Sequence, residues 1–194
     1  MKITPEDVKK LREATGAGMM DAKRALEESE SFNDAVTVLR KKGHATLAKK
    51  SGRAAKEGIV VSYVHAGSKV GVLVELNCET DFVARNEEFK NLASEIALHV
   101  AAANPSYVSR EEVPDDAIAQ EKEIYLEQIK SKPANMKDQI VAGKLEKFYE
   151  QACLLDQPWV RDPDKKIKDL VAEKVGKLGE NIQVRRFVRY AIGE

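Results

Sequence analysis

The chain has 194 residues, of which 43% are hydrophobic and 33% are charged, so it is long enough to bury at least one core. Its formal net charge is zero, which excludes a whole-molecule field directed at nucleic acid or membrane. No apolar run approaches the roughly 18 residues of a membrane span and no signal-peptide core opens the chain, which predicts a cytoplasmic protein.

Residues 1–43 predict a module of three short helices. Thr4 followed by a proline and two acidic residues is typical of a helix start. A Gly-Ala-Gly turn ends this helix, Asp21 is suited to cap the second, and Ser31 is suited to cap a third that ends at Gly43. Three such helices form a minimal bundle that is marginally stable alone.

Residues 44–57 predict a basic linker. The segment is rich in Ala, Lys, Ser and Gly and has no sustained apolar stripe. Seven lysines and arginines between Arg40 and Lys56 meet no acidic residue. The basic excess of the chain is therefore concentrated at the end of the module and in this linker.

Residues 58–194 predict an α+β core. Two strands, Ile59–His65 and Val70–Cys78, are joined by a short turn, and alternation on the second leaves an apolar face. The helix after Asn86 carries an apolar stripe suited to cover that face. The fold predicted for the chain is thus a three-helix bundle, a linker, and a small antiparallel sheet packed by helices.

The second half of this core predicts a projecting helical hairpin. Asp116–Ser131 and Lys137–Leu154 are highly charged, with thin apolar stripes. A last helix from Ile167 leads into a closing strand. Strict alternation on this strand predicts two faces. One would carry Ile182, Val184, Val188 and Ile192, and the other Arg185 and Arg189.

The connection Glu79–Asn86 has an unusual composition for a turn. It crowds a carboxylate, an aromatic ring and a guanidinium where Gly, Pro or Ser is usual, which indicates a contact surface. Phe82 either packs under the following helix or acts as an exposed wedge. Met19 and Met20 leave a similar choice, because flexible side chains after a glycine turn suit either the small core or an adaptable contact surface.

The residues give no support to an enzyme. The chain has no phosphate-binding or dinucleotide-binding glycine motif and no zinc motif, so neither a cofactor nor a metal is predicted. Cys78 continues the apolar face of its strand, where a buried thiol is more common than a nucleophile. Glu79 and Asp81 need not converge, and no partner base is identifiable, so no catalytic residue is assigned.

Four separated blocks give the chain a specific resemblance. They are Leu11–Leu26 (LREATGAGMMDAKRAL), Thr80–Asn86 (TDFVARN), a block from Gly143 to Pro163 that includes CLLDQPWV, and Gly179–Phe187 (GENIQVRRF). Together they resemble bacterial elongation factor Ts, in family order and over nearly the whole chain. In that family the N-terminal module is a three-helix bundle similar to a ubiquitin-associated domain.

The resemblance implies a guanine-nucleotide exchange factor for the GTPase elongation factor Tu. It implies that Thr80, Asp81, Phe82 and Val83 form a wedge that enters the GTPase near its magnesium site. It further implies that the N-terminal module grips the GTPase through Arg12, Met19, Met20 and Lys23. The single copy of the core resembles the short form of the family and motivates a homodimer.

Two other functions are weighed against this one. An interaction adaptor could use the three-helix module alone, but the matching core blocks argue against it. An RNA-binding protein could use the run from Arg40 to Lys56, which lacks interleaved aromatic residues and a stacking platform. Direct binding of nucleic acid is therefore not predicted.

Overall fold

Three helices open the chain in the computed structural model, which describes residues 3–194. They are α1 (Pro5–Thr15), α2 (Met19–Glu27) and α3 (Phe32–Lys50). The predicted caps of α1 and α3 are confirmed: the Thr4 hydroxyl accepts the Asp7 N–H at 3.2 Å, and Ser31 accepts the Asp34 N–H at 3.1 Å. The small core of the bundle comprises Val8, Leu11, Ala22, Ala25, Leu26 and Ala35.

Two helix boundaries differ from the prediction. Helix α2 begins at Met19 with Gly18 as its N-cap, so Asp21 lies in the first turn and does not cap it. Helix α3 continues through Gly43 to Lys50 and packs there against the last helix, α8 (Ile167–Leu178). A Cβ at Gly43 would lie 3.4 Å from the Ala172 carbonyl oxygen. This packing outweighs the cost of about 1 kcal/mol for glycine inside a helix.

A three-stranded antiparallel sheet follows, in the order β1-β2-β5. Its strands are β1 (Glu57–Val64), β2 (Val70–Cys78) and β5 (Gln183–Ala191). Between β2 and β5 along the chain lie α4 (Asp81–Ala84) and α5 (Glu87–Ala103). The predicted apolar face of β2 and the predicted stripe of α5 are both buried. They comprise Val72, Val74, Leu76 and Cys78 on the strand and Phe89, Leu92, Ala93, Ile96, Ala97 and Val100 on the helix.

The predicted facing of the closing strand is wrong beyond a β-bulge at Arg185. Glu75 pairs with Arg186 and Leu76 with Val184, so Arg185 has no opposite residue and the alternation reverses there. Arg189 consequently turns inward, with its side chain 12% exposed, and donates from Nε to the Ala101 carbonyl at 3.2 Å. The apolar side chains beyond the bulge, on Val188, Tyr190 and Ile192, are exposed on the outer face.

The chain divides into two compact units. One contains the described residues up to Ala101 together with Lys168–Glu194, and the other contains Ala102–Ile167. The first unit thus holds both the three helices and the sheet. The division predicted from the sequence, into a module (1–43), a linker (44–57) and a core (58–194), stays a prediction.

The second unit contains the predicted helical hairpin and one element that was not predicted. The hairpin is formed by α6 (Asp115–Gln128) and α7 (Ala134–Ala152). A short antiparallel ladder follows, formed by β3 (Pro158–Trp159) and β4 (Asp162–Lys166). Arg110 bonds the Asp156 carboxylate from Nε at 2.8 Å and the Glu146 carboxylate from Nη2 at 2.8 Å. The predicted α+β class is confirmed.

Candidate functional site

The segment Thr80–Val83 forms an exposed tip between β2 and α5. Thr80 is the N-cap of the four-residue helix α4, and its hydroxyl accepts the Val83 N–H at 3.4 Å. Ala84 is buried, whereas the Phe82 side chain is 82% exposed. The sequence left open whether Phe82 is packed under the following helix or exposed. In the structure Phe82 is exposed, whereas Phe89 is buried.

The carboxylate of Asp81 lies beside the same tip. It pairs with Arg85 at 2.9 Å, one helical turn away, and both side chains are well exposed. Exposed pairs of this kind contribute about 0–1 kcal/mol, so the carboxylate can exchange Arg85 for another donor at little cost. Val83 is half-buried and joins the exposed part of the tip to the buried residue Ala84.

The base of the tip is held by two carboxylates. Glu180 accepts the backbone N–H groups of Glu79 and Thr80, both at 3.0 Å. Glu79 in turn accepts the Asn181 N–H at 2.6 Å. Glu79 therefore bonds the segment before β5 and Asp81 pairs with Arg85, so the two carboxylates do not form an acid–base pair. Sequence reasoning assigned no role to Glu180, although it lies in the block GENIQVRRF.

A second exposed apolar element lies at the start of α2. Gly16, with φ of 67°, turns the chain after α1, and Gly18 precedes α2. The side chains of Met19 and Met20 are 52% and 67% exposed. Both side chains therefore lie outside the bundle core, and their role as a contact surface stays a prediction.

The two basic residues predicted beside these methionines are also exposed. Arg12 lies in the last turn of α1, and Lys23 on α2 is 3.8 Å from Glu27. The eight predicted site residues thus lie on two elements, the tip after β2 and the α1–α2 turn. All of them belong to the first unit.

The thiols do not provide a nucleophile. Cys78 and Cys153 are fully buried, and desolvation raises the pKa of each thiol to about 11. The Cys78 Sγ–H donates to the Thr80 carbonyl at 3.2 Å, so this side chain supports the tip. Within residues 3–194, no group of three or more His, Cys, Asp or Glu side chains is arranged to hold a metal ion.

The fold and these two elements define an α+β protein whose candidate site is a pair of exposed apolar contact surfaces. The family model described as Elongation factor TS matches residues 6–194. The chain belongs to this family of translation elongation factors.

Similar bacterial proteins carry the same description. "Elongation factor Ts" of Thermodesulfovibrio yellowstonii is 60% identical over 196 residues, covering 100% of this chain and 98% of that protein. "Elongation factor Ts" of Thermotoga maritima is 58% identical, covering 100% and 98%. That of Fervidobacterium nodosum is 56% identical and is covered completely. In the described part of the chain, no helix is long and apolar enough to cross a membrane.

Proposed function

We propose that the chain is a guanine-nucleotide exchange factor for elongation factor Tu. It binds the GTPase in the cytoplasm and promotes GDP release during elongation by disturbing the magnesium and phosphate site of its partner. The observation that carries the proposal is the exposure of Phe82 at the end of a braced tip. The family membership supports the choice of partner.

The mechanism needs no covalent step in this chain. An exchange factor binds the nucleotide-free partner more tightly than the nucleotide-bound one, and reciprocity then weakens nucleotide binding by the same factor. Each tenfold weakening corresponds to about 1.4 kcal/mol. Burial of one phenylalanine side chain supplies about 1.5–3 kcal/mol, enough for one to two such factors.

Asp81 adds an electrostatic component to the wedge. Its carboxylate already accepts from Arg85, a partner that is exposed and easily replaced. In the complex we assign it to donors that otherwise serve the magnesium shell of the GTPase. Thr80 and Val83 hold the backbone from which Asp81 and Phe82 project.

We assign part of the affinity of the complex to residues 1–43. Met19 and Met20 offer flexible apolar side chains, and Arg12 and Lys23 flank them with positive charge. Residues 44–57, predicted as a linker, join this partner-binding module to the core, although residues 44–50 are helical and continue α3.

The test is the release of fluorescent GDP from elongation factor Tu into excess unlabelled GDP, with and without this chain. The proposal requires a release rate that rises with the concentration of the chain and then saturates. A rate that does not change at any concentration would contradict it.

Binding of RNA through the basic run remains the alternative. Three of its cations have partners within the chain: Lys42 pairs with Asp21 at 2.5 Å, Lys50 donates to the Gly179 carbonyl, and Arg53 lies 3.5 Å from Glu79. These contacts support a structural role for the run. RNA affinity that falls steeply with salt would favour the alternative.

We further propose a homodimer formed through the outer face of the sheet. Leu73 and Val188 are paired neighbours at the middle of this face, and both are exposed. The other exposed apolar side chains of this surface are on Val60, Val64, Tyr190 and Ile192. Contiguous apolar surface of this kind is typical of interfaces.

Sedimentation at micromolar concentration tests the dimer. We expect a dimer for the unchanged chain and a monomer for Leu73→Lys, since a charge would be buried without a partner. Ile124→Lys is the matched control, because Ile124 is an equally exposed aliphatic residue on α6. A monomeric unchanged chain would exclude the dimer. Neither cysteine lies near the C-terminus, so no intersubunit disulfide is proposed there.

A further inference from the structure

We propose that Glu180 is a positioning residue for the wedge Thr80–Val83. It would hold the wedge in its binding conformation before the partner arrives. The inference rests on the proposed exchange function, and it extends that function to a residue more than ninety positions away along the chain.

Glu180 satisfies three donors at the base of the wedge. Its Oε2 accepts the N–H groups of Glu79 and Thr80, and its Oε1 accepts the Thr80 hydroxyl at 2.6 Å. The two backbone groups lie directly after β2, where the strand ladder has ended. A charged acceptor makes these hydrogen bonds stronger than neutral ones.

The contact to the Thr80 hydroxyl has a second effect. Because the hydroxyl proton is donated to Glu180, a lone pair of the same oxygen is left for the Val83 N–H. That bond caps α4, the helix that carries Phe82. The Glu180 carboxylate therefore acts on the position of the Phe82 ring indirectly, through the Thr80 side chain and the single turn of α4.

The position of Glu180 is itself well determined. It follows Gly179, whose φ of 77° favours glycine and turns the chain from α8 towards β5. The next residue, Asn181, is fully buried and donates from Nδ2 to the Arg53 carbonyl at 2.7 Å. Its backbone N–H donates to Glu79, so each of the two segments supplies a carboxylate to the other.

The wedge needs such a support because α4 is too short to be stable alone. A single helical turn fixes several dihedral angles for one or two hydrogen bonds. A wedge that is ordered only on binding would spend part of its packing energy on that ordering. Holding the turn in advance leaves that energy available to displace nucleotide.

The experiment compares the unchanged chain with Glu180→Ala, Glu180→Gln and a control, Glu88→Ala. Glu88 is also a partly exposed carboxylate of the first unit that accepts two side-chain N–H donors, from Lys174 at 2.9 Å and from Lys177. Its carboxylate is bonded to two lysines of α8 and not to the wedge, so its loss reports general destabilisation. Each protein is measured in two ways: by hydrogen–deuterium exchange of the peptide covering 79–86, and by the maximal rate of GDP release at saturating concentration.

We expect Glu180→Ala to speed amide exchange in residues 79–86 about tenfold, equivalent to the loss of about 1.4 kcal/mol, and to lower the maximal release rate several-fold. For Glu180→Gln both quantities should lie between those of the unchanged chain and those of Glu180→Ala, since its amide oxygen still accepts N–H donors. Glu88→Ala should leave both quantities unchanged.

Two results would overturn the inference. Amide exchange that is unchanged in Glu180→Ala would show that the carboxylate does not hold the turn. Faster amide exchange with an unaltered maximal release rate would show that the partner imposes the conformation by itself. If the unchanged chain fails to accelerate GDP release, the exchange function fails instead, and amide exchange alone then decides whether Glu180 holds the turn.

Discussion

The wedge and the methionine turn, residues 15–20, both expose apolar side chains but are differently restrained. The wedge is held at its base by backbone N–H groups that donate to Glu180, and it is capped by Thr80. The methionine turn contains two glycines, and the N-cap of α2 makes no side-chain hydrogen bond. Its local support is the Thr15 hydroxyl, which donates to the Leu11 carbonyl at 2.6 Å and accepts the Ala17 N–H at 3.4 Å.

From this difference we infer different tasks for the two elements in the proposed complex. A fixed aromatic ring suits a single pose in the partner, where packing energy is used to open a closed site. Methionines with three rotatable bonds suit a surface to which they adapt. Changes to the wedge should therefore alter the maximal rate, and changes to the methionine turn should alter the affinity.

The largest effect is expected from Phe82→Ala. Removing the ring forfeits about 1.5–3 kcal/mol of burial in the complex, so the maximal rate of GDP release should fall about 10- to 100-fold. The melting temperature should not change, because the ring is exposed in the free protein. Ile124→Ala, an exposed aliphatic change on α6, is the control. If Phe82→Ala accelerated GDP release as much as the unchanged chain does, the wedge assignment would be wrong, although the exchange function would stand.

A smaller effect of a different kind is expected from replacing Met19 and Met20 together by Ala. The concentration of the chain needed for half-maximal release should rise about tenfold, as apolar contact area is lost, while the maximal rate is kept. Met136→Ala is the matched control, since Met136 is an exposed methionine of the second unit. A large drop in melting temperature would instead show that the two side chains stabilise the bundle, and the loss of affinity could then not be assigned to contact with the partner.

The restraint on the methionine turn can itself be tested by Gly16→Ala. At φ of 67° an alanine is strained, and its Cβ would lie 2.7 Å from Glu173 Oε1. We expect a loss of about 1–2 kcal/mol in the free energy of unfolding, read from urea denaturation. Gly18→Ala is the control, because the nearest atom to its Cβ would be Asp21 Oδ2 at 3.7 Å. Equal losses in both variants would show that Gly16 is not specifically required.

Local patterns predicted most of the elements of the fold. The caps at Thr4 and Ser31, the β1–β2 hairpin and the apolar stripe of α5 follow from nearest-neighbour chemistry. The bulge carried a visible signal that strict alternation overlooked: Arg185 and Arg186 are consecutive charged residues in a strand. Two successive polar positions break a period of two.

The remaining differences depend on contacts between distant residues. Helix α3 continues past Gly43 because it packs on Ala172, and its His44 Nε2 lies 2.6 Å from Asp169 Oδ1. Neither contact is visible in the composition of residues 44–50. The same holds for Glu180, whose donors lie 100 positions earlier in the chain. Periodicity locates an exposed tip but not the side chain that supports it.

The smallest effect is expected from Gly18→Ser. This variant distinguishes whether the methionine turn adapts to the partner through its side chains or through its backbone. Gly18 has extended backbone angles, φ −64° and ψ 153°, that serine adopts at an N-cap. A hydroxyl that accepts an N–H from the first turn of α2 should add a few tenths of a kcal/mol to the free energy of unfolding. If the adaptability resides in the methionine side chains, this cap should leave the half-maximal concentration unchanged. A several-fold increase in that concentration would show that the backbone of the turn must move on binding, and the contrast with the wedge would then extend from side chains to backbone.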